Sequence, residues 1–570
     1  KNKLNERYNS VELFQGKNNT EYIFNLCKNE LKKIIDIEKL HRKMSLSILN
    51  PYEFYSIHNS YKFILKLTDI LFQIPSMKEW MNNYLSLKED LINFIQDYES
   101  IFNIDELEKW SLQNMESSVF QKTIYPELDE LDNEINIKKN LLISISKKLG
   151  KYIDKNKDEI VKIGCNDKYG WHLYMTKNRS QTMKKSFQNL LNKDIEFKYE
   201  NETFLKINTD QIKTIQKGSN YHVDLPIIYK LSDDINKLQK KLQVINKENY
   251  IEKIKYYYDN HKSVMDNIVC LIGLIDLYST SAKLSIENVY CRPKIIESDS
   301  SFVDAKDIRH PIVEKIQKDI PYVPNDVKLN EDGILLYGTN ACGKSTLMKS
   351  IGLSIIMAQS GFFVPCSAFE YSPYTQIFTR ILNNDNIFKG QSSFAVEMSE
   401  LRSILVRSDN KSLVLGDELC SGTENISALC LVAAGLKTLS DIKCSFIFTS
   451  HLHQLMDISL VQSIQNLNVY HLKIIYDNEN DLLIYDRKLE RGSGPPIYGL
   501  EVCKAMGLNK DFISLARSVQ LETTGKSHNL LENKSHYNSE IIMDICGICS
   551  KKSEETHHIK EQYIANNNNI

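Results

Sequence analysis

The chain has 570 residues, which at roughly 150 per domain sets a prior of about four domains. Its 71 Lys and Arg face 73 Asp and Glu, a formal net charge of −2, so no whole-chain positive field exists and any nucleic-acid contact must be a local patch. With 42% hydrophobic and 25% charged residues, and only 21 Gly and 12 Pro, the composition excludes wholesale disorder and fibrous repeats.

The chain opens at Lys1 with no charged-then-apolar leader and reads as a piece of a longer protein. Apolar runs such as 268–275 reach about half of the ~18 residues of a membrane span, so no membrane is expected as partner. Among the 12 Cys only Cys546 and Cys549 form a close pair, which argues against a disulfide scaffold and for a reducing intracellular compartment.

Residues 1–290 read as helical, with long charged–apolar segments. Leu231, Ile235, Leu238, Leu242 and Ile245 follow a spacing of four, three, four and three, the seam of a long helix packed on a partner or of a plain core helix. A second run, Val264, Ile268, Leu271 and Ile275, follows. Residues 161–176 interrupt the helices with turn residues between short apolar stretches, a β excursion. Lys162, Lys168, Lys177, Arg179, Lys184 and Lys185 lie in or just after it, with Tyr169, Trp171 and Tyr174 interleaved. Cations among aromatics suit a phosphate backbone; a solvated hairpin gives the same pattern.

From 291 to 522 short apolar strands at 333–337, 412–415 and 445–448 alternate with helical patterns, the mark of a mostly parallel sheet covered by helices. Residues 523–570 are polar and read as a linker into a small cysteine-containing unit.

Gly338-Thr-Asn-Ala-Cys-Gly-Lys-Ser345 follows the 333–337 strand and precedes a helix, the pattern of a phosphate-binding loop in its proper setting. Its glycines let backbone N–H groups close around phosphates at a helix N-terminus. Lys344 would reach the β- and γ-phosphates and Ser345 would ligate Mg²⁺. Ser412-Leu-Val-Leu-Gly-Asp417-Glu418 ends a buried strand in two acids, Asp417 for the Mg²⁺ shell and Glu418 to polarise the attacking water. Ser445-Phe-Ile-Phe-Thr-Ser-His451 places a His at another strand end, to sense the γ-phosphate or orient the water; without the other two motifs it would read as a surface His.

These motifs come in the order, and close to the spacing, of the MutS-type mismatch-repair ATPases, together with Phe378-Thr-Arg380, Gly390-Gln-Ser-Ser-Phe-Ala-Val-Glu-Met398 and Asp417-Glu-Leu-Cys-Ser-Gly-Thr423. Tyr290-Cys-Arg-Pro293 and Ile308-Arg-His-Pro311 resemble that family's lead-in. Ser493-Gly-Pro-Pro-Ile-Tyr-Gly-Leu500 resembles its motif before the closing helix-turn-helix. Residues 35–40 with Asn50-Pro51 resemble the start of its core and lever, and 163–170 its clamp. The resemblance implies a multidomain chain: helical core and lever at 1–150, DNA clamp at 151–225, returning lever helices at 226–290, and an α/β ABC-class P-loop ATPase with a helix-turn-helix at 291–522. It also implies a homodimer or heterodimer that sandwiches ATP and Mg²⁺ between subunits and slides on mismatched or branched double-stranded DNA. Carried over by position, Gly338, Asn340, Gly343, Lys344, Ser345 and Thr346 cradle phosphates and Mg²⁺. Tyr322 faces adenine, Ser392 reaches the opposite subunit's γ-phosphate, and His451 is the switch histidine. Lys177, Arg179, Lys184 and Lys185 are the clamp's DNA contacts. Two departures stand out: Cys342-Gly343 replaces Gly-Gly before the Lys, and Leu419-Cys-Ser-Gly422 lacks the usual arginine. The Phe-x-Glu of mismatch readers does not occur in the chain, which leaves action on branched or recombination DNA, or DNA clamping by a structural ABC ATPase, as alternatives.

Cys546-Gly-Ile-Cys549 followed by Glu555-Thr-His-His-Ile559 resembles the opening of an HNH nuclease, or else a plain zinc knuckle. Such a unit follows the ATPase in a MutS branch of large DNA viruses and octocoral mitochondria. The resemblance makes Cys546 and Cys549 Zn²⁺ ligands, His557 the nuclease metal ligand and His558 the base. The second CxxC and the later Asn/His do not follow before Ile570, so as it stands the unit, residues 523–570 with its linker, is not expected to cut.

Overall fold

The computed structural model describes residues 1–524 apart from 155–156, 158–159, 167, 191–192, 201, 318–320, 340–341, 381–392, 421–422, 478–481, 495–499, 501–502 and 504–507. Two compact units are present, one of Leu13–Thr280 and one of Lys1–Glu12 with the chain from Ser281 onward.

The first unit is a helix bundle carrying small sheets. Its helices start where the sequence supplies caps. Asp36 accepts the Lys39 N–H at 3.0 Å to open Ile37–Ser45. Pro51 opens Pro51–Gln73, and the Glu53 carboxylate reaches back to the backbone and side-chain N–H groups of Asn50, both at 3.0 Å. The core is aromatic: Phe54, Tyr61, Phe94, Tyr98, Phe102, Tyr250 and Tyr257 are buried, largely in edge-to-face and tilted contacts. Two buried histidines hydrogen-bond into it, His41 to Tyr61 at 2.6 Å and His58 to Tyr98 at 2.9 Å. Burial pushes both imidazoles down, each to about 4.

The two apolar runs read at 231–245 and 264–275 belong to one helix of 63 residues, Pro226–Asn288. Leu231, Ile235 and Leu242 are buried, while Leu238 and Ile245 are half-buried. The seam continues through Asn246, Tyr250, Ile254 and Tyr257 to Met265, Ile268, Leu271 and Ile275. Asn246 hides the continuity in the sequence, because a fully buried polar residue stands where the pattern needs an apolar one. Its side chain donates to the Ser117 carbonyl at 2.8 Å and accepts from the Val119 N–H at 3.4 Å, which satisfies it. One 18-residue window of this helix reaches a mean hydropathy of 1.4, long and apolar enough to cross a membrane by length and composition, contrary to the expectation from uninterrupted run length. Of that window 44% is buried inside the protein.

The β excursion is an antiparallel hairpin, Lys162–Asn166 with Gly170–Met175. Asn220–Asp224 and Lys213–Lys217 extend it to a four-stranded sheet. The helix Lys177–Gln188 and a second hairpin, Asp194–Tyr199 with Glu202–Asn208, lie between these strands in the chain.

The second unit is built on a six-stranded sheet in the order Gln376–Arg380, Ser412–Asp417, Ser445–Ser450, Gly333–Tyr337, Leu467–Leu472, Leu489–Arg491. The first five strands run parallel and the last antiparallel. Gly333–Tyr337 and Ser445–Ser450 are buried along their length, which is why they read as continuous apolar runs. The helices Lys344–Ser360 and Asn425–Asp441 pack on this sheet. A second, four-stranded sheet of Asn325–Asn330, Phe302–Ile308, Ala368–Ser372 and Lys294–Ile295 is mainly antiparallel and was not expected. The first residues group with this unit: the Tyr8 hydroxyl, buried, donates to the Ala358 carbonyl at 2.6 Å and lies 3.0 Å from the Tyr371 hydroxyl. Of the expected closing helix-turn-helix, the helix Lys510–Thr524 is described.

Candidate functional site

In a parallel sheet the chain leaves every strand at the same edge, and ligands gather there. The strand Ser445–Ser450 lies between Ser412–Asp417 and Gly333–Tyr337, pairing Asp417 with Thr449 and Tyr337 with Ser450. That order alone puts the two acids, His451 and the phosphate loop side by side. Gly338 takes φ +151, and a Cβ there would lie 2.6 Å from the Cys342 Sγ. Gly343 takes φ +109, which an L side chain rarely adopts, and starts the helix Lys344–Ser360. Cys342, in place of a glycine, is buried against this loop, and burial raises its thiol.

Lys344 is 4% exposed, and its ammonium donates to the carbonyls of Gly338 at 2.8 Å and Thr339 at 3.1 Å. Burial lowers its pKa, opposed by Cys342, Glu418 and Asp417. Its Nζ lies 3.2 Å from the His451 Nε2 and 3.8 Å from the Glu418 Oε1, and His451 and Glu418 are 2.6 Å apart. The Thr449 hydroxyl joins the two acids: it donates to the Asp417 Oδ1 at 2.5 Å and accepts the Glu418 N–H at 3.1 Å. Glu418 and Cys420 take φ +50 and +65, left-handed conformations that cost non-glycine residues on the order of 1–3 kcal/mol each.

Beside the loop a cleft is lined by Tyr322, Val323, Cys342, Gly343, Thr346, Leu347, Leu472 and Arg487. The Tyr322 hydroxyl lies 3.2 Å from the Ser350 hydroxyl, and burial raises it. The Arg487 Nε is buried with no hydrogen-bond partner among the described residues. An orphaned cationic donor, an aromatic ring and apolar walls next to a phosphate loop fit a nucleotide whose base enters the cleft. Ser345 and Asp417 are a hydroxyl and a carboxylate of the kind that could hold Mg²⁺ alongside phosphate oxygens and waters.

The structure therefore brings together Gly338, Gly343, Lys344, Asp417, Glu418 and His451, and sets Tyr322 and Thr346 on the adjoining cleft. Asn340, Ser392, Cys546, Cys549, His557 and His558 lie outside the described residues. Among the described residues no group of three or more His, Cys, Asp or Glu is placed to hold a metal ion. Thr449 and Arg487 are additions. Thr449 stood inside a recognised motif without a role, and Arg487 lies in a polar stretch with no motif around it.

In the other unit, Lys177, Arg179, Lys184 and Lys185 lie on the helix Lys177–Gln188, whose inner stripe is Ser180, Met183 and Phe187. Lys177, Lys184 and Lys185 are exposed; Lys177 and Lys184, seven apart, share one flank. Arg179 is half-buried, and its guanidinium donates to the Ile160 carbonyl at 3.0 Å. Strand alternation turns His172, Tyr174 and His222 to one face of the four-stranded sheet and Trp171, Leu173 and Met175 to the other. The His172 and His222 rings stack at 4.5 Å, and the Lys217 ammonium lies 4.4 Å from the centre of the Tyr169 ring. Gly164 makes room for this: a Cβ there would lie 2.8 Å from the His172 Nε2.

Residues 334–524 match the family model of MutS domain V. The chain is 34% identical to a mutS homolog of Acanthamoeba polyphaga mimivirus, with 99% of the chain aligned. It is 29% identical to the mitochondrial DNA mismatch repair protein mutS homolog of Sarcophyton glaucum over 98% of the chain. Residues 334–524 carry a MutS domain V, and nearly the whole chain is similar to MutS proteins. Its relatives include the DNA mismatch repair protein MutS of Clostridium kluyveri, 28% identical over 97% of the chain. The viral and octocoral relatives place it with the branch that the sequence resembles. The chain spans about half the length of these MutS relatives, 54% of the first two and 58% of the third.

Proposed function

We propose that the protein is a MutS-type ATPase of DNA mismatch repair, in which ATP bound between two subunits drives a clamp that slides on double-stranded DNA. The observation that carries this reading is the convergence of Lys344, Asp417, Glu418, Thr449 and His451 at the ends of three adjacent parallel strands, beside the Tyr322–Arg487 cleft. ATP, when bound with Mg²⁺, supplies a phosphoryl group whose transfer to water releases energy. Lys344 would then exchange loop carbonyls for phosphate oxygens. Asp417, held by the Thr449 hydroxyl, would keep the Mg²⁺ shell with Ser345. Glu418 would accept a proton from the attacking water, and His451, whose Nε2 lies 2.6 Å from the Glu418 Oε1, would orient that water. Asn340 adds a phosphate contact and Ser392 the contact across the dimer. In the clamp, the exposed ammonium groups of Lys177, Lys184 and Lys185 have no partner among the described residues and can offer themselves to phosphates, and Arg179 serves partly as a structural donor.

The names of the relatives support DNA mismatch repair. The Cys546, Cys549 and His557 segment is proposed as a zinc-containing HNH-like unit on its resemblance to the opening of an HNH nuclease and its place after the ATPase; a purified protein that retains no zinc would remove that part. ATP should release the protein from linear DNA with free ends and leave it on the same DNA with both ends blocked. Release at equal rates from both would refute the sliding clamp.

A further inference from the structure

Glu397 lies in the helix Ser393–Arg407 and is 2% exposed. Its Oε1 accepts the backbone N–H of Cys420 at 2.7 Å. The Arg380 Nε, at the end of the strand Gln376–Arg380, lies 3.9 Å from the same oxygen and 3.1 Å from the Glu400 carboxylate. A buried carboxylate is stable only where charge and lone pairs are met, and this one meets an arginine and a main-chain donor. The donor is informative. It belongs to the second of two left-handed residues, two positions beyond Glu418, in a turn that would relax unless both ends were held. Thr449 holds the Glu418 end through its hydroxyl and carbonyl, at 3.1 and 3.2 Å from the Glu418 nitrogen. Glu397 holds the other end.

We propose that Glu397 is a positioning residue for ATP hydrolysis: through the Cys420 amide it fixes the strained turn that aims Glu418 at the water. Water activation then depends on where the helix Ser393–Arg407 lies, so a displacement of that helix disarms Glu418 without touching the nucleotide cleft, whose lining comes from other segments. The inference rests on the ATPase reading of Glu418.

The test is steady-state hydrolysis and binding of a fluorescent ATP analogue by the purified protein and three variants. Glu397→Ala should lower kcat about 10²-fold, the scale of an ångström of misplacement, with KM and analogue affinity within about twofold of wild type. Glu397→Gln keeps an oxygen at the same reach for the amide and should stay within about tenfold. Glu397→Asp keeps the charge but falls short, and should be slower than Glu397→Gln. An alanine variant with wild-type kcat overturns the inference, as does an aspartate variant faster than the glutamine one, since charge against Arg380 would then be what matters. If Glu397→Ala does not fold, the glutamine–aspartate order decides. A wild-type protein no faster than Lys344→Ala overturns the ATPase reading itself and this inference with it.

Discussion

Thr449 concentrates the site's geometry in one hydroxyl. It is 2% exposed, donates to Asp417 and accepts from the Glu418 amide, so both acids take their aim from it. Thr449→Val keeps the shape and removes both bonds. We expect kcat to fall about 10- to 100-fold, with about 1–3 kcal/mol of stability lost to the unpaired groups. An unchanged kcat with lowered melting temperature would make Thr449 purely structural. Lys344 was legible because it closes a phosphate-loop pattern after a short apolar strand, and Asp417, Glu418 and His451 because each stands at the end of such a strand. The sequence did not disclose Thr449 or Arg487, whose roles arise from which strands become neighbours, and no local pattern encodes that.

At the scale of elements, the helix Lys177–Gln188, proposed as part of the clamp, carries two kinds of cation. Neutralising Lys177, Lys184 and Lys185 should flatten the salt dependence of DNA binding by up to about 0.9 in log–log slope for each lost phosphate contact, whatever the DNA sequence. Arg179→Ala should instead lower stability, by freeing the Ile160 carbonyl. A triple variant with the full wild-type slope would refute the placing of the DNA contact on this helix. The helical unit carries a separate proton linkage. His41 and His58 are held near 4 against an ordinary 6.5 because burial disfavours the charged ring. Between those values the unfolded chain binds more protons, so stability is lost as pH falls from about 6.5 to about 4, on the order of 3 kcal/mol per residue in full. The stability gap between wild type and His58→Gln in urea titrations should narrow across that window; parallel curves would refute the linkage. The 231–245 seam was legible in the apolar spacing but its full length was not, because Asn246 interrupts that spacing. The antiparallel sheet was legible in principle: Val327 and Leu329 alternate with Asp326 and Lys328, and Val303 and Ala305 with Asp304 and Lys306. Such short alternations were outweighed by the neighbouring continuous apolar strands.

On the scale of the molecule, the proposed function requires sites completed by a second subunit, and Ser392 is the residue proposed to reach across. Ser392→Ala and Lys344→Ala should each depress turnover as pure proteins. Mixed together they should recover activity, because half of the sites in a mixed dimer carry neither change. A mixture no more active than the mean of its parts would argue against composition in trans. The central claim is that Glu418 activates water at a nucleotide held by Lys344 and its loop, and it is tested most directly by measuring ATP binding and turnover of Glu418→Gln side by side. Nucleotide should bind as in wild type while turnover falls by about two orders of magnitude or more. Turnover at the wild-type rate would show that Glu418 does not activate the water.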